Sequence, residues 1–163
     1  MILYIARHAW AGHFGDPAWP DDFQRPLDKE GRKRFRKAAR LLAARGVAPT
    51  LIATSPLVRC RQTAELLAAA MTPEQPLVEL DALRPGSDLP ALVAWTVEQA
   101  KTHDEIAWVG HAPDVDRMTA ALIGPGGNVC LAKGATAAVR FDDAIAPGAG
   151  ELRWLVTAKM LGC

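Results

Sequence analysis

An excess of charge of either sign is absent from this chain, since 19 Lys and Arg residues and 18 Asp and Glu residues give a formal net charge of +1. This balance offers no general argument for binding nucleic acid or a membrane surface. Cysteines are few, and Cys60, Cys130 and Cys163 form neither a C-x-x-C pair nor a disulfide framework. Long hydrophobic runs are also lacking, because the apolar start of the chain ends at Arg7 and His8. We therefore expect no signal peptide, no membrane span and a cytoplasmic location.

What the chain does contain is typical of a globular domain. Its 163 residues are 50% hydrophobic and 23% charged, and without internal repeats we expect one domain over residues 1–163. Short apolar runs typical of strands lie at 1–6, 51–53, 76–80, 106–109, 135–141 and 151–157. The first four alternate with helical patterns, whereas the last two follow one another. This predicts an α/β fold with three layers, in which helices cover both faces of a mostly parallel sheet with an antiparallel edge.

Capping residues place the first two predicted helices. The first begins after Asp28 as its N-cap and runs to Arg45, where Gly46 closes it. The second begins with Ser55 as its N-cap and a proline at its first position, and it runs to about Ala70.

Two further helices precede the last pair of strands. The third begins at Asp88, and its apolar positions recur at helical spacing, namely Leu89, Leu92, Val93, Thr96, Val97 and Ala100. The fourth carries Val115, Met118, Thr119 and Leu122 on one face and stops at Gly124. Loops are predicted over residues 9–26 and 125–127. A loop as long as the first of these in a small domain is usually functional or disordered.

Residues suited to anion chemistry follow three of the predicted strands. The first strand ends at Arg7 and His8, and the fourth ends next to His111. The second ends at Ser55, with Arg59 one turn into the following helix. The carboxyl ends of parallel strands share one edge of a sheet, where ligands bind, so these side chains are expected to converge. An imidazole is a nucleophile near neutral pH and a guanidinium is a fixed anion fork, which favours a phosphorylated substrate.

The segments that carry these residues are R-H-A at 7–9, T-S-P-L-V-R-C-R-Q-T-A at 54–64 and G-H at 110–111. Together they resemble the histidine phosphatase superfamily, which also contains the cofactor-dependent phosphoglycerate mutases. The small size, R-P-L at 25–27 followed by a glycine, and L-R-P-G at 83–86 are similar to its short SixA-type phosphohistidine phosphatase branch. The resemblance spans almost the whole chain and implies a phosphoglycerate mutase-like fold.

The resemblance also implies a role for each matching residue. His8 would be the nucleophile that takes the phosphoryl group, and Arg7 and Arg59 would grip its nonbridging oxygens. His111 would donate a hydrogen bond to the same group, and Arg25 is a further substrate-binding candidate. Because the arginines supply positive charge, neither a metal ion nor another cofactor is implied. We expect His8 to be neutral, with one ring nitrogen donating to a backbone carbonyl and nearby arginines lowering its pKa.

Two positions depart from the family's pattern. Ala9 stands where the family usually has glycine, and we expect only a local backbone adjustment. Larger members carry a glutamate general acid in the region that here spans 79–86, where Glu79 and Asp81 are candidates on spacing alone. A general acid is worth about 10²–10⁴-fold for an alkoxide leaving group, whereas a protonated imidazole needs far less help. The gap predicts a preference for phosphohistidine or other phosphoramidates over alkyl phosphate esters.

The leading interpretation is a metal-independent phosphohydrolase that acts on phosphohistidine in a protein domain through phosphorylated His8. The alternatives are a small-molecule phosphomonoester phosphatase, a phosphoglycerate mutase-type phosphotransferase and a phosphate-binding protein without turnover. The presence of both a nucleophile and a complete set of anion-binding residues favours an enzyme over a binding protein. A zinc site formed by His8, His13 and His111 has no ligand-spacing signature.

Other features have both an ordinary and a functional interpretation. The first helix is strongly basic, through Arg32, Lys33, Arg34, Arg36, Lys37, Arg40 and Arg45. A solvated face is the favoured interpretation, and a docking surface for an acidic, phosphohistidine-bearing protein is the alternative. Trp10 and Trp19 are candidates for a pocket wall, and Lys133 for the pocket rim.

Overall fold

Six strands and four α-helices make up the part of the chain that the computed structural model describes, residues 1–124, 126 and 128–163. The strands are β1 (Ile2–Arg7), β2 (Leu51–Thr54), β3 (Leu77–Glu79), β4 (Glu105–Gly110), β5 (Thr136–Arg140) and β6 (Glu151–Val156). The helices are α1 (Lys29–Ala43), α2 (Val58–Ala68), α3 (Leu89–Gln99) and α4 (Asp114–Ile123). Two short 3₁₀-helices lie at Asp22–Gln24 and Asp81–Leu83. The loop predicted over 125–127 includes Pro125 and Gly127, which lie outside the described residues.

The strands form one sheet in the order β3-β2-β4-β1-β5-β6. Neighbours among β3, β2, β4 and β1 pair in parallel, whereas β5 and β6 are added antiparallel at one side. The prediction of a mostly parallel sheet with an antiparallel edge is therefore confirmed. No helix of the described ranges combines the length and the hydropathy that crossing a membrane requires.

Helices cover both faces of the sheet, and alternate residues of each central strand point to opposite faces. In β1, Tyr4 and Ala6 pack in a buried cluster with α1 and α2. Leu3 and Ile5 pack in a second cluster with α3 and α4. The three predicted layers are thus present, and the continuous apolar character of β1 reflects burial on both sides.

The first helix begins as predicted and ends slightly earlier. Oδ1 of Asp28 accepts a hydrogen bond from the backbone N of Gly31 at 2.6 Å, which is the geometry of an N-cap. The last helical residue is Ala43 rather than Arg45. Turn residues follow, and Gly46 adopts the left-handed φ of +87° that favours glycine at a helix end.

The start of α2 differs from the prediction. The helix begins at Val58 after Leu57, and Ser55 is not its N-cap. The reason is that one more backbone hydrogen bond to β4 follows the end of β2, in which the backbone N of Ser55 donates to the carbonyl oxygen of Val109 at 3.0 Å. The chain can turn into a helix only after this strand pairing ends.

The apolar pattern of α3 is only partly buried, and this gives a test of the fold. Leu92 is 0% exposed, whereas Val97, predicted for the same face, is 46% exposed because it lies about 100° around the axis from buried Thr96. We expect Leu92→Ala to lower the free energy of unfolding by about 2–5 kcal/mol. Val97→Ala is expected to change it by less than about 0.5 kcal/mol. Urea denaturation measures both, and equal losses would contradict this packing.

Candidate active site

The ends of three central strands meet at one edge of the sheet. Strands β2, β4 and β1 are neighbours and run in parallel. Arg7 pairs with Gly110 across β1 and β4, and the backbone N of His8 donates to the carbonyl oxygen of Gly110 at 3.0 Å. Residues that are about 100 positions apart in the sequence are thereby held side by side.

A cleft of about 480 Å³ opens at this edge. It is lined by Arg7, His8, Arg25, Arg59, Pro85, Gly86, His111, Ala112, Pro113, Asp114, Arg117 and Lys133. The structure thus brings together all five residues to which the sequence analysis assigned nucleophile, anion-binding or hydrogen-bonding roles. Lys133, expected only as a rim candidate, also lies here.

His8 is held in one orientation by the backbone. Its side chain is largely buried, and Nδ1 lies 2.7 Å from the carbonyl oxygen of Ala9. A carbonyl can only accept, so Nδ1 donates and Nε2 keeps a free lone pair. The pKa of His8 is lowered to about 3, first by burial and then by the charges of neighbouring groups that include Arg59. The expected neutral form is present, although burial contributes more than the arginines.

The departure at Ala9 is accommodated in the core. Ala9 is fully buried, and its backbone N donates to the Thr63 hydroxyl at 3.1 Å. Its φ is negative, as it is for every non-glycine residue that the structure describes. An alanine methyl therefore fits without the left-handed backbone that would favour glycine.

His111 lies directly after β4 and faces His8, with 5.4 Å between the ring centroids. Its Nε2 lies 2.9 Å from Oγ of Ser55 and 3.4 Å from Sγ of Cys60. Burial, followed by the charge of a nearby arginine, lowers the pKa of His111 to about 3. Burial also raises the pKa of the Cys60 thiol, which keeps it neutral. The Ser55 hydroxyl can donate to Nε2 or accept from it, and in either case this contact fixes the orientation of the ring.

This contact makes Ser55 a positioning residue for His111. We expect Ser55→Ala to lower kcat/KM for a phosphorylated substrate about fivefold, the equivalent of one hydrogen bond of roughly 1 kcal/mol. The ¹⁵N chemical shifts of the His111 ring should also change, because they report which nitrogen carries the proton. Ser55→Thr retains a hydroxyl and is expected to restore both readouts. Unchanged ring shifts in Ser55→Ala would contradict the assignment.

The guanidinium groups of Arg59, which is buried, and of Arg7, which is half-buried, present donors that have no protein partner among the described residues. Nη1 of Arg7 donates to the carbonyl oxygen of Leu131 at 2.9 Å, and Nη1 of Arg59 donates to that of Asp22 at 2.8 Å. The Nε atoms of Arg7 and Arg59 are buried without a hydrogen-bond partner. Burial lowers the pKa of Arg59, but an arginine remains a cation at neutral pH. These orphaned donors fit an anion in the cleft.

Asp22, which no sequence pattern indicated, connects two of the arginines. Its Oδ1 lies 2.6 Å from Nε of Arg25, and its Oδ2 lies 3.0 Å from Nη2 of Arg59. Burial opposes its charge, but the hydrogen bond from Arg25 and the charges of both arginines outweigh burial and lower the pKa of this carboxyl. Asp22 thereby fixes the two guanidinium groups at the cleft. It lies in the long loop, where no periodic pattern marks individual residues.

The two general-acid candidates lie outside this cleft. Glu79 ends the edge strand β3, where Oε1 lies 3.6 Å from Nη1 of Arg61. Asp81 is 80% exposed at its side chain and lies 2.9 Å from Nε of Arg84. Their spacing was compatible with the family pattern. However, β3 is an edge strand, and β2 and β4 lie between it and β1, the strand that ends next to His8. The expectation that either residue protonates a leaving group is therefore corrected.

A different carboxylate does line the cleft. Asp114 is the first residue of α4, three residues after His111, and it is 8% exposed. Its Oδ2 accepts from the backbone N of Gly86 at 2.9 Å. Arg117, one turn further along α4, also lines the cleft. Both were missed, although their proximity to a strand-end histidine could have indicated them.

The remaining candidates have other positions. His13 is exposed, and the described residues contain no group of three or more His, Cys, Asp or Glu side chains that could hold a metal ion. Trp10 is not a cleft residue, since its ring stacks under Arg34 with 3.9 Å between the guanidinium carbon and the ring centroid. Trp19 packs against Gly12, where a β-carbon would lie 3.0 Å from its ring. Neither tryptophan lines the cleft.

Comparison with known proteins gives consistent results. The family model of the histidine phosphatase superfamily (branch 1) matches residues 3–119. An uncharacterized protein of Picosynechococcus sp. is 38% identical over 123 residues, which are 75% of this chain and 73% of that protein. The protein histidine phosphatase SixA complexed with tungstate is similar with a TM-score of 0.85, 24% identity and 99% coverage of each chain. The alpha-ribazole phosphatase from Shigella flexneri has a TM-score of 0.69, 16% identity and 97% coverage of each chain. At these identities the two structural likenesses establish the fold.

Proposed function

Because the chain belongs to the histidine phosphatase superfamily (branch 1), and is a phosphatase of that family, we propose that its substrate is phosphohistidine in a protein and that His8 carries the phosphoryl group between the two half-reactions. The observation that carries this proposal is the state of His8. It is neutral, its Nδ1 donates to a carbonyl, and it lies beside buried Nε donors of Arg7 and Arg59 that no described residue pairs with.

The first half-reaction transfers the phosphoryl group to the enzyme. Nε2 of His8 attacks phosphorus, the new P–N bond forms, and the bond to the leaving group breaks with its electron pair staying on the leaving atom. The substrate oxygens are held by Arg7 and Arg59, whose free Nε donors match an anion. A ring N–H of His111 donates to a further oxygen. These fixed donors stabilise the charge that phosphoryl transfer spreads over the equatorial oxygens.

The second half-reaction releases inorganic phosphate. Water attacks phosphorus on the face opposite His8, a P–O bond forms, and the P–N bond to Nε2 breaks. The electron pair returns to Nε2, and the proton that water loses passes to phosphate or solvent. His8 leaves as a neutral imidazole because its Nδ1 keeps its proton through the hydrogen bond to the Ala9 carbonyl. Splitting hydrolysis into two displacements is the advantage of a covalent intermediate.

The preference for phosphohistidine follows from the leaving group. Glu79 and Asp81 lie outside the cleft, and Asp114 accepts a backbone hydrogen bond through one of its oxygens. A site without a dedicated acid is poorly suited to expel an alkoxide, for which proton donation is worth about 10²–10⁴-fold. An imidazole that is already protonated on its distal nitrogen leaves as a neutral molecule. The cleft therefore fits a phosphoramidate better than an alkyl ester.

A small phosphomonoester is the second candidate. The cleft contains Arg25, Arg117 and Lys133 in addition to the two arginines assigned to the phosphoryl group. A substrate with a second anionic group would find partners in these three cations. This reaction would use the same nucleophile and differ only in the leaving group.

The test compares two substrate classes on the same enzyme preparation. A protein carrying ³²P-phosphohistidine and a simple alkyl phosphate are each incubated with the wild-type enzyme, and released inorganic phosphate is measured. We expect kcat/KM for phosphohistidine to exceed that for the alkyl ester by about 10²-fold or more. Equal or faster turnover of the alkyl ester would favour the second candidate. Binding of the phosphoprotein without phosphate release would overturn the proposal.

A further inference from the structure

Asp114 presents a half-satisfied carboxylate to the cleft. It is almost completely buried, and Oδ2 accepts from the backbone N of Gly86. Although five cations line the same cleft, no ion pair within 4.0 Å joins Asp114 to a cation among the described residues. No residue that the structure describes donates a hydrogen bond to Oδ1 of Asp114. Because Asp114 lines the cleft, this oxygen is free to accept a hydrogen bond from a ligand there.

The geometry of phosphoryl transfer indicates where this partner comes from. The attacking and leaving atoms lie roughly in line through phosphorus, so the leaving group is on the far side of the phosphoryl from His8. Arg7, Arg59 and His111 are assigned to the phosphoryl oxygens, which leaves other cleft residues to contact the leaving group. Asp114 is the acidic side chain among the described residues that line the cleft.

We propose that the free oxygen of Asp114 accepts a hydrogen bond from the distal ring N–H of the substrate's phosphohistidine, so that Asp114 is a catalytic residue that selects an imidazole leaving group. This inference rests on the proposed function. A carboxylate beside the ring favours its protonated form. When the P–N bond breaks, the electron pair returns to the nitrogen that carried phosphorus. The distal nitrogen keeps its proton, and neutral imidazole departs.

The same arrangement is already present on the enzyme's own histidine. The Ala9 carbonyl holds the proton on Nδ1 of His8, the nitrogen that does not carry phosphorus. Asp114 would hold the corresponding proton on the substrate ring. Both imidazoles that exchange the phosphoryl group would then leave as neutral molecules, and neither P–N bond cleavage would need a separate acid. An alkyl phosphate has no such N–H and gains nothing from Asp114.

The test uses Asp114→Asn with N-phosphoimidazole and 4-nitrophenyl phosphate as probes. An asparagine oxygen can still accept from Gly86, while its amide presents donors to the substrate ring. We expect the ratio of kcat/KM for N-phosphoimidazole to kcat/KM for 4-nitrophenyl phosphate to fall about tenfold or more. The fall should shrink toward about pH 5, where solvent protonates the ring, and grow toward about pH 8. His8, with a pKa of about 3, stays neutral across this range.

Asp81→Asn is the matched control, since Asp81 is exposed outside the cleft, and we expect it to leave the ratio unchanged. An unchanged ratio in Asp114→Asn would overturn the inference. A larger loss for 4-nitrophenyl phosphate would also overturn it and make Asp114 a proton donor to ester leaving groups. Failure of the wild-type enzyme to turn over N-phosphoimidazole, with normal turnover of the ester, would instead count against the proposed function.

A separate observation concerns the charge of α1. Eight of the 19 Lys and Arg residues lie between residues 29 and 45, together with one of the 18 acidic residues. The exposed cations of α1 are Lys29, Arg32, Lys33, Arg36, Lys37 and Arg40, and these define the basic face. None forms an ion pair with another described residue within 4.0 Å. A chain with a net charge of +1 thus concentrates unpaired positive charge on one helix.

The helix that carries the basic face begins near the cleft, because Arg25 lines the cleft and lies three residues before Asp28, the N-cap of α1. Trp10 follows His8 by two residues, and its backbone lies against the first turn of α1, where a β-carbon on Gly31 would be 2.3 Å from its carbonyl oxygen. Arg34 stacks on the Trp10 ring. A protein whose phosphorylated side chain enters the cleft would therefore lie next to the amino-terminal half of α1.

We infer that the basic face docks an acidic protein surface around the phosphohistidine of the substrate. This second inference also rests on the proposed function. Electrostatic complementarity of this kind chiefly raises the association rate and declines with added salt. It would act on kcat/KM for a protein or peptide with acidic flanks and leave a small phosphoramidate such as N-phosphoimidazole unaffected.

The test uses two phosphohistidine peptides, one flanked by glutamates and one flanked by serines. Arg32→Gln with Arg36→Gln is expected to lower kcat/KM about three- to tenfold for the acidic peptide only. Lys101→Gln with Arg140→Gln removes the same charge from remote exposed sites and should change neither. Equal losses for both peptides, equal effects of the control, or tight binding of duplex DNA in place of the acidic peptide would overturn the inference. The serine-flanked peptide tests the proposed function independently.

Discussion

Replacing His8 with alanine is expected to lower kcat on phosphohistidine by about 10³-fold or more, the scale of effect expected when a covalent nucleophile is lost. The remaining arginines would still bind the substrate, so KM should change far less than kcat. Release of ³²P-phosphate under single-turnover conditions measures the effect directly. The prediction depends on Nε2 of His8 being the atom that attacks phosphorus.

Misfolding must be separated from loss of the nucleophile. His8→Ala leaves the buried Ala9 carbonyl without its 2.7 Å partner, which costs about 1–3 kcal/mol of stability. His8→Asn provides an amide donor for this carbonyl but no nucleophile of comparable strength. We expect both variants to be inactive, with His8→Asn closer to wild type in thermal unfolding. Turnover by a folded His8→Asn enzyme would contradict the assigned nucleophile.

Replacing Arg59 with alanine is expected to lower kcat/KM by about 10²–10³-fold, which is typical of removing one fixed donor to a developing anion. Arg59 is buried, its Nε has no partner among the residues that the structure describes, and its terminal nitrogens are anchored on Asp22. Arg59→Lys keeps the charge but not the planar fork, so we expect only partial recovery. Steady-state kinetics with inorganic phosphate as a competing inhibitor measures both the rate and the anion affinity.

Arg61→Ala is the matched control for this prediction. Arg61 lies two residues along the same helix, but it is half exposed and faces Glu65 and Glu79 at 3.7 and 3.6 Å. Surface ion pairs of this kind contribute little, so activity and phosphate affinity should stay near those of the wild type. Similar losses of activity in Arg59→Ala and Arg61→Ala would indicate a general effect on α2 rather than the loss of a residue that binds the substrate anion.

The sheet and the residues at its strand ends could be predicted from the sequence because both depend on short-range patterns. Buried strands of a parallel sheet read as short apolar runs, and β1 and β4 are of this kind. Because the carboxyl ends of parallel strands lie at the same edge of a sheet, the sequence alone predicts that Arg7, His8 and His111 lie close together. Arg59 follows from the same argument because it lies one turn into the helix after β2.

The contacts that orient these residues could not be predicted in the same way. Asp22 lies in an irregular loop, and its position between two arginines depends on how that loop folds back over the cleft. Ser55 looked like a helix cap by residue type, but strand pairing extends through it and its hydroxyl contacts His111 instead. Glu79 and Asp81 had suitable spacing, yet β3 is an edge strand. Each of these depends on tertiary placement, which spacing does not encode.

The most direct measurement is to trap the labelled enzyme and locate its phosphoryl group. Wild-type protein is mixed with ³²P-phosphohistidine substrate, quenched in alkali within one turnover, and digested for peptide mapping. We predict acid-labile, alkali-stable label on the peptide that contains His8, and its loss when His8 is replaced by asparagine. Label on another residue, or complete turnover with no labelled enzyme at any quench time, would contradict the central role of His8.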